Sequence, residues 1–418
     1  MNPKVKIVVG ANYGDEGKGL ATHYFSRKAR IDGPVLNVLY NGGPQRGHTV
    51  EFKDGVRHIF HHFGSGFFDR ASTYFDEDFM VNPIIYVREK EELKGIVNRN
   101  FDEYYPKNSF HTAFINHNCR VITPWDCMVN QIVEKSRGEN RHGSCGSGIW
   151  ETQKRYEDGV YALKYIDLVD SWHMYGYDIL TKYFQAMRDD YMIKRLKQYG
   201  IDEVPEEYRE AFYSGKLIEN YIFDLGFMDS TCMLADFNHL ANTFHTIIFE
   251  GGQGLALDEG NKEALPHVTA SKTGSLVPVQ RVDDISGDVE ICYVTRTYFT
   301  RHGAGPFPTE CNKDDICKGL HDVTNEPNDW QGTLRYGKFD FKEFYGRISN
   351  DFAKAREIMP RVRGSLMLTH CNEGETEIPI AHELENMIYM SETPYASDIK
   401  TYKSTNGKAY TLARKPYI

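Results

Sequence analysis

The sequence predicts an α/β fold: a large, mostly parallel central sheet flanked by helices. Two observations carry this. Short, almost wholly apolar runs recur at residues 6–9, 35–39, 246–249, 289–294 and 366–368, each followed by turn residues. Such runs suit strands buried on both faces, as parallel sheets require. Between them lie stretches of helical character, in pieces over 165–199 and again over 220–244. Alternation of the two is the pattern of α/β proteins.

The 418 residues and 40% hydrophobic content suffice for one big domain or two ordinary ones. No repeat, low-complexity segment or linker divides the chain, so residues 1–418 read as a single domain. A region near 160–245, rich in Tyr, Asp and Lys, reads as a helical excursion covering one sheet edge. The net charge of -10 and pI near 5.9 argue against a nucleic-acid partner, which wants a basic face. Eight cysteines form no CxxC pair and no metal-ligand spacing, as expected for reduced thiols of a cytosolic protein. No leader pattern opens the chain and no apolar run approaches ~18 residues. The expectation is a soluble, cytoplasmic protein without a membrane partner.

The first candidate site follows the first strand. Tyr13-Gly14-Asp15-Glu16-Gly17-Lys18-Gly19 is a glycine-rich turn leading into a helix-like segment, the geometry that holds phosphate at a helix N-terminus. It is neither GxxxxGK[ST], because Gly19 follows Lys18, nor GxGxxG. A carboxylate beside bound phosphate is repelled unless a cation intervenes. Asp15 therefore points to a Mg²⁺ ligand, a proton acceptor or both, with Lys18 neutralising phosphate charge.

A second cluster, Asn41-Gly42-Gly43-Pro44-Gln45-Arg46-Gly47-His48-Thr49, follows the run at 35–39. It places backbone N–H groups, a cation and an imidazole at the carboxyl end of a strand, where open α/β sheets bind ligands. His48 lies inside this phosphate-type loop. His58, His61 and His62 read as ordinary surface or core histidines.

These loops resemble the adenylosuccinate synthetase family, which reads WGDEGKG and GGxNAGHT at the same places. Further blocks follow in order. Phe249-Glu250-Gly251-Gly252-Gln253-Gly254 resembles FEGAQG, and Val268-Thr269-Ala270-Ser271 resembles VTSS. The stretch from Thr300 to Glu310 resembles TRVGAGPFPTE. The resemblance implies a P-loop-NTPase-like fold and a two-step ligation. Asp15 takes the N1 proton of a 6-oxopurine nucleotide, O6 attacks the γ-phosphate of a nucleoside triphosphate with His48 stabilising the oxyanion, and aspartate's amine then displaces phosphate from C6. Phosphorylation comes first because a purine amide oxygen is a poor leaving group, so base, oxyanion stabiliser, metal and phosphate cradle must coincide.

The resemblance also implies a site map. Asp15, Lys18, His48 and Gln253 would be catalytic, with Mg²⁺ held by Asp15 and the carbonyl of Gly47. The triphosphate would take Gly14, Asp15, Glu16, Gly17, Lys18, Gly19, Gly47, His48, Thr49, Thr369, Asn372, Asn406 and Gly407. The purine monophosphate would take Asp15, Gln45, Arg46, Ser144, Cys145, Arg155, Gln253, Thr269 and His302, with Arg155 reaching across a homodimer interface. L-Aspartate would take Thr333 and Arg335.

Several positions depart from the family pattern. Its IGTTGRGIGP stands here as His142-Gly143-Ser144-Cys145-Gly146-Ser147-Gly148-Ile149-Trp150, and its Asn in the second loop is Gln45. The arginine-rich TTGRRRRTGWLD has shrunk to residues 328–340, with Arg335 left to clamp a carboxylate. His302 stands near the ribose, where the family has a small apolar residue. TKLD, whose Asp pairs with guanine of GTP, is Thr369-His370-Cys371-Asn372. Asparagine both donates and accepts, which suits the adenine edge.

In these departures the chain resembles a phage branch of the family that joins aspartate to dGMP with ATP or dATP, for DNA containing 2-aminoadenine. Three readings follow: that activity, in a host cytoplasm; a conventional synthetase using IMP and GTP; and a catalytically silent nucleotide-binding protein.

Overall fold

The computed structural model describes residues 2–100, 113–320, 322, 325, 332–374, 377–378, 384, 387–402 and 410–411. The chain begins β1 (Lys4–Gly10), α1 (Lys18–Ala29), β2 (Val35–Leu39), β3 (His48–Glu51), β4 (Arg57–Phe60), β5 (Ser72–Phe75), α2 (Pro83–Asn100) and β6 (Ala113–Ile115). Helices follow: α3 (Pro124–Ser136), α4 (Ile149–Glu157), α5 (Tyr165–Ala186), α6 (Ile193–Gln198), α7 (Glu206–Tyr213) and α8 (Gly215–Thr231). Then come β7 (Cys232–Leu234), α9 (Phe237–Ala241), β8 (Thr246–Gly254), α10 (Leu276–Val282), β9 (Asp288–Arg296), β10 (Phe299–Arg301), β11 (Glu310–Cys311) and β12 (Arg335–Gly337). The last elements are α11 (Phe341–Ile358), β13 (Arg363–Thr369), β14 (Glu377–Ile378), β15 (Ile388–Met390), β16 (Lys400–Tyr402) and β17 (Tyr410–Thr411).

Ten strands form the main sheet in the order β16-β15-β13-β9-β1-β8-β2-β5-β6-β7, and only the β15–β16 pair is antiparallel. The five apolar runs are the five contiguous strands β13-β9-β1-β8-β2 at its centre. Strand alternation splits their side chains between two layers. Val5, Ile7 and Val9 of β1 share a core with Phe344, Ile348 and Phe352 of α11. Val8 faces the other way, onto Leu20, Tyr24 and Phe25 of α1.

The excursion departs from its predicted form at one point. Helix was expected to run through 220–244, but α8 stops at Thr231 and residues 232–234 become a strand. Cys232, Met233 and Leu234 pair in parallel with Ala113, Phe114 and Ile115, so the open edge of β6 captures them. The pairing energy of an unsatisfied sheet edge outweighs local helix propensity over three residues. Around α5 the helical pieces match the sequence expectation, with a π-helical turn (Met187–Met192) joining α5 to α6. This helical layer has its own core, in which Trp125, Phe184 and Tyr221 meet and the Trp125 indole donates to the Phe212 carbonyl at 2.9 Å. No helix among the described residues is long and apolar enough to cross a membrane, and all eight cysteines are free.

Ile291 is fully buried in the middle of β9. Ile291→Ala is expected to lower the unfolding free energy by about 2–5 kcal/mol. Ile31→Ala, at a position 81% exposed, should change it by less than about 0.5 kcal/mol. Urea midpoints with unchanged slopes are the measurement, and equal effects at the two positions would contradict the layering.

Candidate active site at the carboxyl ends of the central strands

The loop after β1 is forced into an unusual backbone. Gly14, Asp15 and Gly17 all have positive φ (111°, 57° and 95°). Asp15 is the non-glycine among them, and that conformation persists only where its surroundings fix it. They do so here. Arg296 Nε donates to the Asp15 carbonyl at 2.5 Å and Thr300 Oγ1 to the Gly14 carbonyl at 3.0 Å. The Glu16 carboxylate turns back into the loop, accepting from Asn12 N (2.6 Å), Gly14 N (3.2 Å) and Lys18 Nζ (3.1 Å). Helix α1 then starts without a side-chain cap or first-turn acid, leaving N–H groups directed at the loop mouth. Glu16 is thus the internal brace of this loop. Lys18 is held in an ion pair with its carboxylate.

The second loop packs on the first without room to spare. A Cβ on Gly19 would lie 2.9 Å from the Thr49 carbonyl and 3.0 Å from His48 Cβ. His48 is buried, and its Nδ1 is 2.6 Å from Glu250 Oε1 in the middle of β8. Ser65 donates its N–H to Glu250 Oε2 at 3.0 Å and its hydroxyl to Oε1. Arg46 Nη2 stands 3.3 Å from that same Oε1. Burial would raise the Glu250 pKa, but Arg46, His48 and Ser65 hold it down at about 2. Burial and the Arg46 charge push His48 down to about 4 against the pull of Glu250. His48 is therefore neutral at physiological pH, with Nδ1–H donated to Glu250. Its Nε2 is buried and without a partner.

His302, expected beside a ribose, is instead found on the loop carboxylate. Its Nε2 lies 3.0 Å from Asp15 Oδ2 and 3.0 Å from Asn325 Oδ1. Burial alone would raise the Asp15 pKa. His302, with help from Arg296 and Lys18, holds the carboxyl far below the usual carboxylate range. The same contact raises His302 against the effect of its burial. Arg296 is locked by Asp322 at 3.0 Å and the Tyr298 hydroxyl at 2.9 Å.

Two further loops complete the wall. The 142–148 loop is held by α3: Glu134 accepts from Gly143 N (3.0 Å) and Ser144 N (3.3 Å), and Asn130 from the Ser144 hydroxyl (2.9 Å). A Cβ on Gly143 would sit 2.6 Å from Gly303 Cα, so glycine is required where this loop crosses the next. At the end of β13, the Thr369 hydroxyl donates to the Glu16 carbonyl at 2.9 Å and half-buried Asn372 borders the cavity.

One cavity of about 920 Å³ gathers most of the expected residues. Residues 14–19 and 45–49 line it, with Ser144, Cys145, Gln253, Thr269, His302, Thr369 and Asn372. Three expected residues are elsewhere. Arg155 lies in the interior, where Nε and Nη2 pair with Asp126 (3.1 and 2.8 Å) and Nη1 and Nη2 reach the Tyr161 and Val121 carbonyls. Four of its five N–H groups are committed and it is 1% exposed, so it cannot reach across an interface. Arg335 does not line the cavity. It grips Glu310 with two hydrogen bonds (2.8 and 2.6 Å) and the carbonyls of Gly303 and Gly305 at 3.0 Å each. Thr333 is exposed beside it. Asn406 and Gly407 lie outside the described residues. Arg46 borders the cavity, but its guanidinium is sealed in the wall behind His48.

Sequence reasoning missed Arg296, Asp322 and Asn325, and quoted Glu250 without giving it a role. Arg296 ends an apolar strand run, and Glu250 lies at the end of another. A charge in that position is the available signal, because strand ends point into the ligand crevice.

A sequence profile described as adenylosuccinate synthetase matches residues 7–344. The adenylosuccinate synthetase of Limosilactobacillus fermentum is 29% identical over 352 residues, covering 80% of this chain and 71% of that protein. Its counterpart from Halothermothrix orenii is 29% identical over 333 residues, 77% and 68% of the two chains. Fully ligated adenylosuccinate synthetase from Plasmodium falciparum superposes with a TM-score of 0.60 at 18% identity, over 96% of this chain and 88% of that one. Cyanophage S-2L succinoaminodeoxyadenylate synthetase, bound to dGMP and dATP as an energy donor, gives 0.59 at 15% identity over 97% and 96%. At these identities the two structures share the fold.

Removing Arg155 strands the buried Asp126 carboxylate. Arg155→Ala is expected to cost about 3–5 kcal/mol of stability, read by urea unfolding. Wild-type stability combined with weakened monophosphate binding would contradict its interior role.

Proposed function

The chain belongs to the adenylosuccinate synthetase family, and from that premise we propose that it joins L-aspartate to C6 of dGMP with hydrolysis of ATP or dATP. The product is 2-amino-2′-deoxy-N6-succinyladenylate, a precursor for 2-aminoadenine DNA. The observation that carries the choice of base is a pair of amides. Gln45 has both side-chain polar atoms buried and without a partner, and Gln253 Oε1 is likewise unpaired. Both border the cavity, and both come within 2.8 Å of where a Cβ on Gly42 would be. Buried unpaired acceptors are costly unless a ligand donates to them. The 2-amino group of guanine is a donor that IMP lacks, and one such contact separates the two bases by about 1–3 kcal/mol. Asn372, bordering the cavity in place of an aspartate, supports ATP or dATP as the phosphoryl donor.

In the first step the N1 proton passes to Asp15, the O6–phosphorus bond forms and the bond from the γ-phosphorus to the departing diphosphate breaks. Asp15 is ionised but weakly basic, so it takes the proton as charge moves onto the transferring phosphoryl group. His48 lies where its Nε2 meets that charge. An approaching polyanion favours the imidazolium, which then donates from Nε2. In the second step the aspartate amine bonds to C6, the C6–O6 bond breaks as phosphate leaves with O6, and the nitrogen gives up one proton, which the departing phosphate can take. The substrate's carboxylates would meet Thr333 and Arg335, with Arg335 exchanging Glu310 for the ligand.

Among the described residues no group of three His, Cys, Asp or Glu side chains could hold a metal unaided. One carboxylate at a phosphate cradle suits Mg²⁺, which keeps its waters and shares substrate phosphates. Asp15 and the Gly47 carbonyl would hold the ion, which supplies neutralisation of phosphate charge. The protein would act as a homodimer in the cytoplasm, the host's if it is phage-encoded, with a residue other than Arg155 crossing the interface.

A second reading, IMP with GTP, is favoured by the conventional synthetases to which the chain is 28–29% identical and by the retained Asp15. Phosphate release with IMP, GMP or dGMP against ATP, dATP or GTP, with mass spectrometry of the product, separates the two. The expected outcome is turnover of dGMP with ATP or dATP. Asn372→Asp should shift preference toward GTP by about tenfold, the worth of one base-edge contact. Succinylation of IMP but of neither guanine nucleotide would establish the second reading.

A further inference from the structure

The Arg46 guanidinium is the least expected charge in the site. Its side chain is fully buried, although the resembled loop GGxNAGHT carries alanine there. Its hydrogen bond goes to the Phe63 carbonyl at 3.0 Å, and its ion pair is Glu250 Oε1 at 3.3 Å. Nε and Nη1 have no hydrogen-bond partner. Glu250 Oε1 is also the atom that receives His48 Nδ1 at 2.6 Å. One carboxylate oxygen therefore joins a sealed cation to the imidazole at the transfer site.

We propose that Arg46 is a positioning residue for phosphoryl transfer: it fixes the Glu250 carboxylate and, through it, the orientation of the His48 ring. The proposal rests on the ligase reading above. A buried carboxylate without a cation is costly, and it relaxes toward whatever charge it can find. With Arg46 in place, Glu250 is held from behind by the guanidinium and from the side by both donors of Ser65. His48 is then gripped at Nδ1 and confined against Gly19, where the first loop approaches His48 Cβ too closely to admit a side chain. Only Nε2 remains free. Without Arg46 the carboxylate swings toward His48 and Lys18, and the Nε2 direction is lost. Misdirection of one transition-state donor lowers kcat, not the binding of nucleotides that do not reach the sealed Arg46 guanidinium.

The test is steady-state phosphate release by Arg46→Met, Arg46→Lys, Glu250→Gln and the double variant that combines Arg46→Met with Glu250→Gln, all confirmed as folded by circular dichroism. Arg46→Met is expected to lose about 10- to 100-fold in kcat, while KM for the purine monophosphate and for aspartate stays within about threefold. Arg46→Lys should recover a substantial part. The double variant should be no slower than Glu250→Gln alone, because Arg46 acts through that carboxylate. This comparison stands even where Arg46→Met alone folds poorly, since a neutral amide in place of the Glu250 carboxylate needs no cation. Wild-type kcat in Arg46→Met, a raised monophosphate KM at unchanged kcat, or additive losses in the double variant would each overturn the role. Absence of turnover by the wild type with every purine monophosphate would instead overturn the ligase reading.

Discussion

A buried carboxylate held in a left-handed turn at the head of a helix is the constraint on which the rest of the site depends. Asp15 sits in that backbone before α1, where burial penalises its charge. Without compensation it would protonate or swing away. His302, Arg296 and Lys18 supply that compensation from three different segments, so the central sheet must bring the ends of β1, β9 and the turn after β10 together. The parallel register of β1 with β9, Lys4 against Asp288 through Gly10 against Val294, does this.

Glu250 repeats the pattern one strand away. It is a buried carboxylate answered by Arg46, His48 and Ser65, and its geometry sets the imidazole facing the cavity. A tight glycine contact at Gly19, against the Thr49 carbonyl and His48, packs the first loop on the second. The site is therefore a rigid frame of paired charges around a cavity, with unpaired amides of Gln45 and Gln253 left to read a ligand. Groups already satisfied within the protein hold the frame, and under the proposed function the groups left unsatisfied at the cavity would give it selectivity.

Legibility in the sequence followed burial. The five strands buried on both faces are continuous apolar runs and were readable. The flanking strands β5, β6, β7, β15 and β16 are short or mixed in composition and were not. Strand β7 exists because β6 offers it an edge, a tertiary fact with no local signature. The two glycine-rich loops were legible because their backbone geometry demands glycine. The protein partners of Arg155 and Arg335 were not legible because an arginine in a loop or helix reads the same whether its partner is a ligand or a carboxylate of the protein. Asp126 and Glu310 are 29 and 25 residues away, beyond any local pattern. The approach of His302 to Asp15 spans most of the chain and was equally invisible.

The central claim is that the Asp15 carboxylate takes part in the chemical step and does more than shape the loop. Its most direct test is rapid-quench transfer of the γ-phosphate by Asp15→Asn, with purine monophosphate binding measured separately by calorimetry. Asparagine keeps the size and the capacity for a left-handed backbone but removes the charge. The account predicts near-wild-type monophosphate affinity and phosphoryl transfer reduced by about 10²–10⁴-fold or more, the scale of a lost acid–base group. Transfer at more than a tenth of the wild-type rate would contradict it.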